Sequence, residues 1–386
     1  MTMYRRDVLI GTGSIMTAAV FAQACGRAKS GPRPVDGGDA IDSPIVEALR
    51  YGITAPSAHN TQPWRIELVS TTEARLYMDP ERLLPATDPP GRQVHISHGT
   101  FVEVMAIAAT RFGYRAEIEL LPEGPMSYGE FGTKPTARIR LLEAPGSAVD
   151  PLFSQVLERR TSRLSHEGPM VTEDELATVR AYAAPDEMKM GLIPTAQLPE
   201  ALALVRDAMA IEVNDHTLYD ETRIWFRFSK RAIREHRDGL SIDTSGLTGA
   251  SAGAANLLLS SKNFQKEKNR KRFLETFGEI VASSRGLLTM TTPTNTMVDW
   301  IETGRAYVRA QLAAETLGLR FQPVSQVLQE YPQMDALRPQ LDSLLGIRAP
   351  AKVQMLVRLG RTATPGLSPR RAVDDFLFNP DSRRAV

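Results

Sequence analysis

Two short segments hold the residue types best suited to gripping a ligand. The first is Ala55-Pro56-Ser57-Ala58-His59-Asn60-Thr61-Gln62-Pro63-Trp64. Its two prolines fix φ and remove backbone donors, which makes a rigid, irregular wall. Ser57, Asn60 and Gln62 set neutral polar groups along that wall, and Trp64 offers an apolar anchor. A flat, neutral heterocycle with mixed donors and acceptors suits such a surface. A Pro-rich surface turn accounts for the same residues more simply. The second segment is Arg159-Arg160-Thr161-Ser162-Arg163. Guanidinium groups meet phosphate oxygens through paired hydrogen bonds, and hydroxyls add donors. Arg159, Thr161 and Arg163 together have the chemistry of a phosphate grip. Taken alone, a basic cluster is more often a solvated surface.

Other chemistries find less support. His95 and His98 are three apart, but no carboxylate or second His pair completes a metal site, so none is expected. There is no Gly-x-Ser-x-Gly elbow, no Gly-x-x-x-x-Gly-Lys-Ser/Thr loop and no Gly-x-Gly-x-x-Gly after a strand. No residue stands out as a catalytic acid or base. Residues 262–272 are strongly basic and read as a solvated helix face. Trp225, Phe226 and Phe228, with Arg223 and Arg227, fit either a lid over a ligand or plain core packing, the second being simpler.

The elements that must carry these segments can be read from capping and periodicity. Ser43-Pro44 opens a helix that fades near Thr54, with Pro at the first helical position. Strands are expected over 65–69 and 74–78. A long helix follows over 98–112, ended by Gly113, and then strands near 116–121 and 137–142. A helix over 151–160 should present the arginine cluster. Thr172 to Glu175 forms a capping box before another helix. Residues 199–214 are helical by period, 239–255 read as a Gly/Ser/Thr-rich loop or lid, 307–317 as a helix ended by Gly318, and 352–359 as a strand. The two long helices echo each other. Gly99, Ala108-Ala109 and Gly113 recur as Gly304, Ala313-Ala314 and Gly318 at a constant offset. This suggests internal duplication, with small residues allowing close helix approach at a pseudo-twofold axis.

The Pro-rich segment resembles the Ala-Pro-Ser-x-x-Asn-x-Gln-Pro-Trp motif of the nitroreductase family over ten consecutive residues. In that family the motif holds FMN. Arg159 to Arg163 is similar to the family's Arg-x-Ser-x-Arg/Lys phosphate motif, with Thr161 where Ser is usual. The family's members are homodimers, in which one subunit supplies the arginines and the other the Pro-Ser segment. Here the arginine motif lies in the second half and the Pro-Ser motif in the first, each without a second copy. The resemblance therefore implies an α+β fold of two tandem nitroreductase-like halves, each a mixed sheet flanked by helices, fused as a pseudo-dimer with one FMN site. It is nearest in pattern to the family's Acg-type, FMN-binding branch. By position it assigns Pro56, Ser57, Asn60, Gln62, Arg159, Thr161 and Arg163 to the cofactor. Ser325 and Gln326 match the segment that brings backbone N–H groups to the flavin N5 edge, and Arg370 matches a terminal basic motif. The implied activity is reduction of nitro or other electron-poor small molecules, with NAD(P)H as the family's donor. The alternative is a protein that sequesters FMN under a lid without catalysis.

Length and composition frame this reading. The chain has 386 residues, 42% hydrophobic and 24% charged, as in an ordinary soluble protein. Its net charge of +1 gives no reason to expect nucleic acid or an anionic membrane as the main partner, so any basic site must be local. The single cysteine, Cys25, excludes an internal disulfide. Arg5-Arg6 ahead of an apolar stretch to Ala24 resembles a twin-arginine export signal, which implies an envelope or periplasmic location. Ala22-Gln23-Ala24-Cys25 fits cleavage before Cys25 with or without lipid attachment. The expected division is a signal over 1–24, a linker over 25–42, and halves over 43–147 and 148–386. An exported enzyme would meet little NAD(P)H, which leaves room for another donor. Further dimerisation stays open.

Overall fold

The computed structural model describes residues 43–183 and 188–380. The export signal, Cys25 and the linker lie outside the described residues. The chain runs α1 (Pro44–Gly52), β1 (Trp64–Leu68), β2 (Glu73–Met78), α2 (Arg92–Arg111), β3 (Tyr114–Leu120), β4 (Pro135–Glu143) and α3 (Glu173–Ala183). Next come β5 (Lys189–Leu192), α4 (Leu198–Asn214), α5 (His216–Ile224), α6 (Lys230–His236), α7 (Gly249–Leu258) and α8 (Glu267–Ala282). The last elements are β6 (Gly286–Thr292), α9 (Met297–Thr316), β7 (Arg320–Pro323), α10 (Arg338–Leu345) and β8 (Lys352–Gly360).

Two four-stranded sheets have the same plan. Their orders are β1-β2-β4-β3 and β5-β6-β8-β7, and a 20-residue helix joins the second strand to the third in each. Every strand pairing in these ladders is antiparallel. The expected mixed sheets are therefore antiparallel, and parallel pairing is confined to isolated bridges such as Ile66 with Leu377 and Thr161 with Phe321. Helix α2 starts six residues before the expected His98. Gly91, in the left-handed region at φ 73°, releases the chain into its first turn, and Asp88 accepts from the Val94 N–H at 3.1 Å. Helix α9 begins at a capping box in which Thr296 and Asp299 bond each other's backbone N–H.

Burial explains the strand patterns. In β3 the side chains of Arg115, Glu117 and Glu119 are exposed while their neighbours turn inward, the alternation of a half-covered sheet. In β8 residues 353–360 are all buried, because that sheet is covered on both faces. One face meets α2 and α9, in the core shared by both sheets. The other meets a second core built from residues 193–285, an insert between β5 and β6, and from residues 324–347 between β7 and β8. Only four residues separate the equivalent strands β1 and β2. This insert contains α4 to α8. Phe226, Phe228 and Phe264 cluster within it at centroid distances of 4.8–5.4 Å, so the aromatic segment near Trp225 is packing.

Two expectations failed locally. Residues 151–160 form turns and a short 3₁₀ segment at Phe153–Gln155, because the arginines that follow are pulled into bonds with other segments. Residues 239–255 are partly helical, since α7 starts at Gly249 from an Ala-rich run.

Helices α2 and α9 cross at Gly99 and Gly304. A Cβ on Gly99 would lie 1.9 Å from the Ile301 carbonyl oxygen, and one on Gly304 would lie 1.9 Å from that of Ile96. These are backbone atoms, so no rotamer change relieves the clash. Ala108, Ala109, Ala313 and Ala314 are fully buried in the same core. Gly99→Ala or Gly304→Ala should destabilise by about 3 kcal/mol or more through overpacking. Gly253→Ala on α7, where a Cβ meets nothing within 4 Å, should be neutral or slightly stabilising. Thermal unfolding of the three variants checks this; equal melting temperatures would refute the constraint.

Candidate functional site

The Pro-rich segment between α1 and β1 is held in an uncommon conformation. His59, Asn60 and Gln62 all have positive φ, 47°, 54° and 52°. Such residues are costly outside glycine and persist only where surroundings fix them. Here the surroundings are specific. Ser57 Oγ accepts from the Gln62 N–H at 3.0 Å. Three near-consecutive residues of α2 fasten the segment from behind. Ser97 Oγ accepts from the Ala58 N–H at 3.2 Å, Thr100 Oγ1 donates to the Pro56 carbonyl at 2.7 Å, and His98 Nε2 meets the Pro63 carbonyl at 3.0 Å. Trp64 is fully buried, 4.7 Å from Phe101 and 5.9 Å from Phe376. The segment is therefore a fastened wall and not a free surface turn.

This wall closes one side of a cavity of about 180 Å3 that also takes residues from the second half. Arg159 and Arg370 are buried in it, and Arg163 is half-buried. The Arg159 guanidinium donates to the Thr54 carbonyl at 2.9 Å and to Gln311 Oε1 at 3.2 Å. Arg370 donates to the same Thr54 carbonyl at 3.2 Å and to Asn60 Oδ1 at 2.8 Å. Two cations thus converge on one backbone oxygen. Arg163 donates to the Thr244 carbonyl at 3.1 Å. Among the described residues lining the cavity there is no Asp or Glu. Burial pushes Arg159 down to about 10, with Arg160 pushing the same way, and burial lowers Arg163 as well. Guanidinium groups keep their proton at neutral pH, so the cavity holds a local positive excess that an anion would satisfy.

Several neutral groups also face the cavity. The hydroxyl of Tyr307, Oε1 of Gln326 and Nδ1 of His59 are buried without a hydrogen-bond partner among the described residues. Burial holds Tyr307 above its ordinary range, so its hydroxyl keeps its proton. The structure brings together Pro56, Ser57, Asn60, Arg159, Thr161, Arg163, Ser325, Gln326 and Arg370 around this cavity. It sets Gln62 apart. That side chain is fully buried and bonds the Arg237 carbonyl at 2.9 Å and the Arg371 N–H at 3.0 Å, locking the wall to two other segments. Asn60 is partly engaged in the same way, donating to the Gly239 carbonyl at 3.1 Å. Ser325 Oγ lies 3.3 Å from both the Leu356 N–H and its carbonyl.

The insert contributes a strap over residues 237–244. Gly239, Leu240 and Thr244 line the cavity. The strap is tied down by the bonds to Asn60, Gln62 and Arg163 and by a 2.8 Å ion pair between Arg82 and Asp238. Tyr307, Gln311 and the Ser97–Thr100 fasteners went unnoticed in the sequence. Their signal was present in the two long helices, whose faces toward the cavity carry polar residues within otherwise buried stretches. His95 and His98 face different partners. His95 Nδ1 meets the Gly91 carbonyl at 2.7 Å, and His98 Nδ1 meets Thr136 Oγ1 at 2.7 Å.

Comparison with known proteins adds the following. No family model matches the chain. Two Mycobacterium tuberculosis (strain H37Rv) proteins carry the words NAD(P)H nitroreductase in their names. One, acg, is 26% identical over 337 residues, covering 86% of this chain and 94% of its own. The other, Rv3131, is 24% identical over 321 residues, covering 82% and 84%. A third relative from that strain, Rv3127, is 24% identical over 349 residues and is named only as uncharacterised. Among solved structures, the FMN- and NADPH-dependent nitroreductase NfnB of a Sphigopyxis strain matches at 13% identity with a TM-score of 0.38, over 60% of this chain and 99% of its own. A Bacteroides fragilis nitroreductase solved with FMN matches at 17% identity and a TM-score of 0.31, over 55% and 89%.

His59 yields a pH prediction. Burial, and then Arg163, lower it to about 4, so it is neutral in the folded protein at pH 7. In the unfolded chain a histidine titrates near 6.5. Between those values the unfolded state binds more protons, so this contribution is present above about pH 6.5 and is lost as pH falls toward 4. Buried Asp88 and Glu212, raised to about 7, act in the opposite sense and are shared by parent and variant. The melting-temperature difference between the parent and His59→Gln should shift toward the variant from pH 7 to pH 4.5. A difference independent of pH would mean that His59 is not buried neutral.

Proposed function

We propose that this chain is a flavoprotein of the nitroreductase type that holds one FMN in the cavity between its halves. The observation that carries this reading is the convergence of Arg159 and Arg370 on the Thr54 carbonyl, in a cavity whose described lining has no carboxylate. A phosphate is the anion whose charge and oxygen geometry suit a set of guanidinium groups. The rest of the cavity fits the ring and chain of such a cofactor. It offers unpartnered Tyr307, Gln326 and His59 atoms and a rigid neutral wall at Pro56–Asn60. The names of the relatives, matched over most of the chain, support the same reading.

In this reading Arg159, Arg163 and Arg370 hold the phosphate, and Thr161 adds a hydroxyl donor. The Pro56–Asn60 wall and the Ser325–Gln326 turn set the surroundings of the ring. FMN, when bound, supplies the hydride or electron transfer to a nitro or other electron-poor acceptor. The protein's own part is to position, to screen from water and to neutralise charge. NAD(P)H is the donor suggested by the relatives' names. The common strand order of the two sheets supports descent from a duplicated half, with a single cofactor site retained. An exported location, with or without lipid on Cys25, is part of the proposal and rests on the N-terminal sequence alone.

The strap favours a second reading. It roofs the cavity and engages two of the proposed contact residues, Asn60 and Arg163, and also Gln62 behind the wall, as a storage protein would. The tests separate the two. Purified protein should show a flavin spectrum with one FMN per chain, and Arg159→Ala with Arg163→Ala should lose it at least about a hundredfold in affinity, given two charge-assisted contacts removed. Full flavin content in the double variant would remove these residues from the phosphate site. Reduced protein that is reoxidised by nitroaromatics indicates an enzyme. Flavin that is bound but exchanges electrons with no donor or acceptor indicates sequestration.

A further inference from the structure

The three most exposed large apolar side chains among the described residues are Leu257 at 84%, Leu258 at 68% and Ile224 at 56%. All three flank one loop, residues 259–263. Leu257 and Leu258 end α7, whose ten residues carry no charge. Ile224 ends α5, and its neighbour Arg223 donates to Ser261 Oγ in that loop at 2.8 Å. The loop is built as a fixed unit. Asn263 donates to the Leu258 carbonyl at 2.8 Å and accepts from the Ser260 N–H at 2.9 Å, and Asn269 donates to the Asn263 carbonyl at 2.8 Å.

From the same loop starts the basic run, Lys262, Lys266, Lys268, Arg270, Lys271 and Arg272, against a single Glu267. Five of these cations, all but Arg270, are exposed. None of the six pairs with a carboxylate among the described residues, whereas exposed Arg50, Arg180 and Arg231 each do. A chain with a net charge of +1 therefore gathers a local excess of five positive charges beside its most exposed leucines. Apolar side chains rimmed by unpaired cations suit a surface that is both apolar and anionic. Among the described residues no helix is long and apolar enough to cross a membrane, so contact there would be peripheral.

We infer that the α5 end, α7 and the first turns of α8 form a docking surface for an anionic lipid bilayer. Leu257, Leu258 and Ile224 enter the interface, and the basic run meets the headgroups. This surface is independent of what the cavity holds. It is linked to the cavity roof, since Asn256 of α7 donates to Asp243 Oδ1 at 3.2 Å, next to Thr244, which accepts from Arg163.

The test is co-sedimentation of the full chain with vesicles of phosphatidylglycerol and phosphatidylcholine, or of phosphatidylcholine alone, at low and high salt. Cys25→Ser is used throughout to remove acylation, and the N-terminal apolar stretch is common to every variant. The parent should bind the anionic vesicles, and high salt should weaken it. Leu257→Asp with Leu258→Asp should weaken that binding about tenfold or more, and Lys266→Glu with Lys268→Glu and Lys271→Glu should abolish the preference for anionic lipid. Circular dichroism confirms folding, and the two variant sets fail independently because all five positions are exposed. Equal binding by parent and variants, or salt-independent binding to neutral vesicles, overturns the proposal and leaves the N-terminal stretch as the anchor. Loss of a dimer in the leucine variant without any vesicle binding by the parent overturns it in favour of a second copy of the chain.

Discussion

The crossing of α2 and α9 at Gly99 and Gly304 is the constraint on which the rest of the molecule depends. Two helices of 20 residues meet with no side chain between them, at a separation set by backbone atoms. That contact fixes where each sheet lies relative to the other. It also fixes the cavity. Ser97, His98 and Thr100 on one helix hold the Pro-rich wall, while Tyr307 and Gln311 on the other face Arg159 and Arg163. A shift at the crossing would displace the wall relative to the cations. Site geometry and fold stability therefore share one determinant.

Charge placement is the second determinant. Burying a guanidinium is unfavourable unless its hydrogens are accepted, and Arg159, Arg163 and Arg370 lie together. The chain tolerates this because backbone carbonyls at Thr54 and Thr244 and side-chain oxygens at Asn60 and Gln311 accept their hydrogens. Carbonyl dipoles satisfy hydrogen bonds but do not cancel charge. The arrangement therefore leaves positive charge inside the cavity.

Much of this was legible in sequence, for identifiable reasons. The strands β1 to β4 and β8 alternate or run apolar at the expected positions, and the Gly/Ala echo between α2 and α9 marks their contact. The Pro-Ser segment and the arginine cluster were visible because their residue types are chemically unusual together. Other parts were hidden. The start of α2 follows a Pro-Pro-Gly run that reads as a loop, and only the αL turn at Gly91 shows that a helix begins there. Strands β5 and β7 have four residues each, too short for a periodic signal. The strap was legible as a Gly-rich loop, but its bonds to Asn60, Gln62 and Arg163 join residues far apart in the chain. Gln62 shows the limit of motif reasoning. Its position pointed to a ligand, whereas its amide bonds Arg237 and Arg371 within the protein.

The closing contacts have a consequence for the order of assembly. Asn60 meets Arg370 310 residues downstream, and Ile66 at the edge of β1 pairs with Phe376 and Phe378. While the chain is being synthesised, the first sheet has an open edge, and its Pro-rich wall lacks the partners that hold the left-handed residues in place. The first half is therefore completed only by the second, and the β1 edge stays unpaired for most of translation. The contacts that complete the cavity are also those of highest sequence separation, so a ligand that binds there reports that synthesis and folding are both finished.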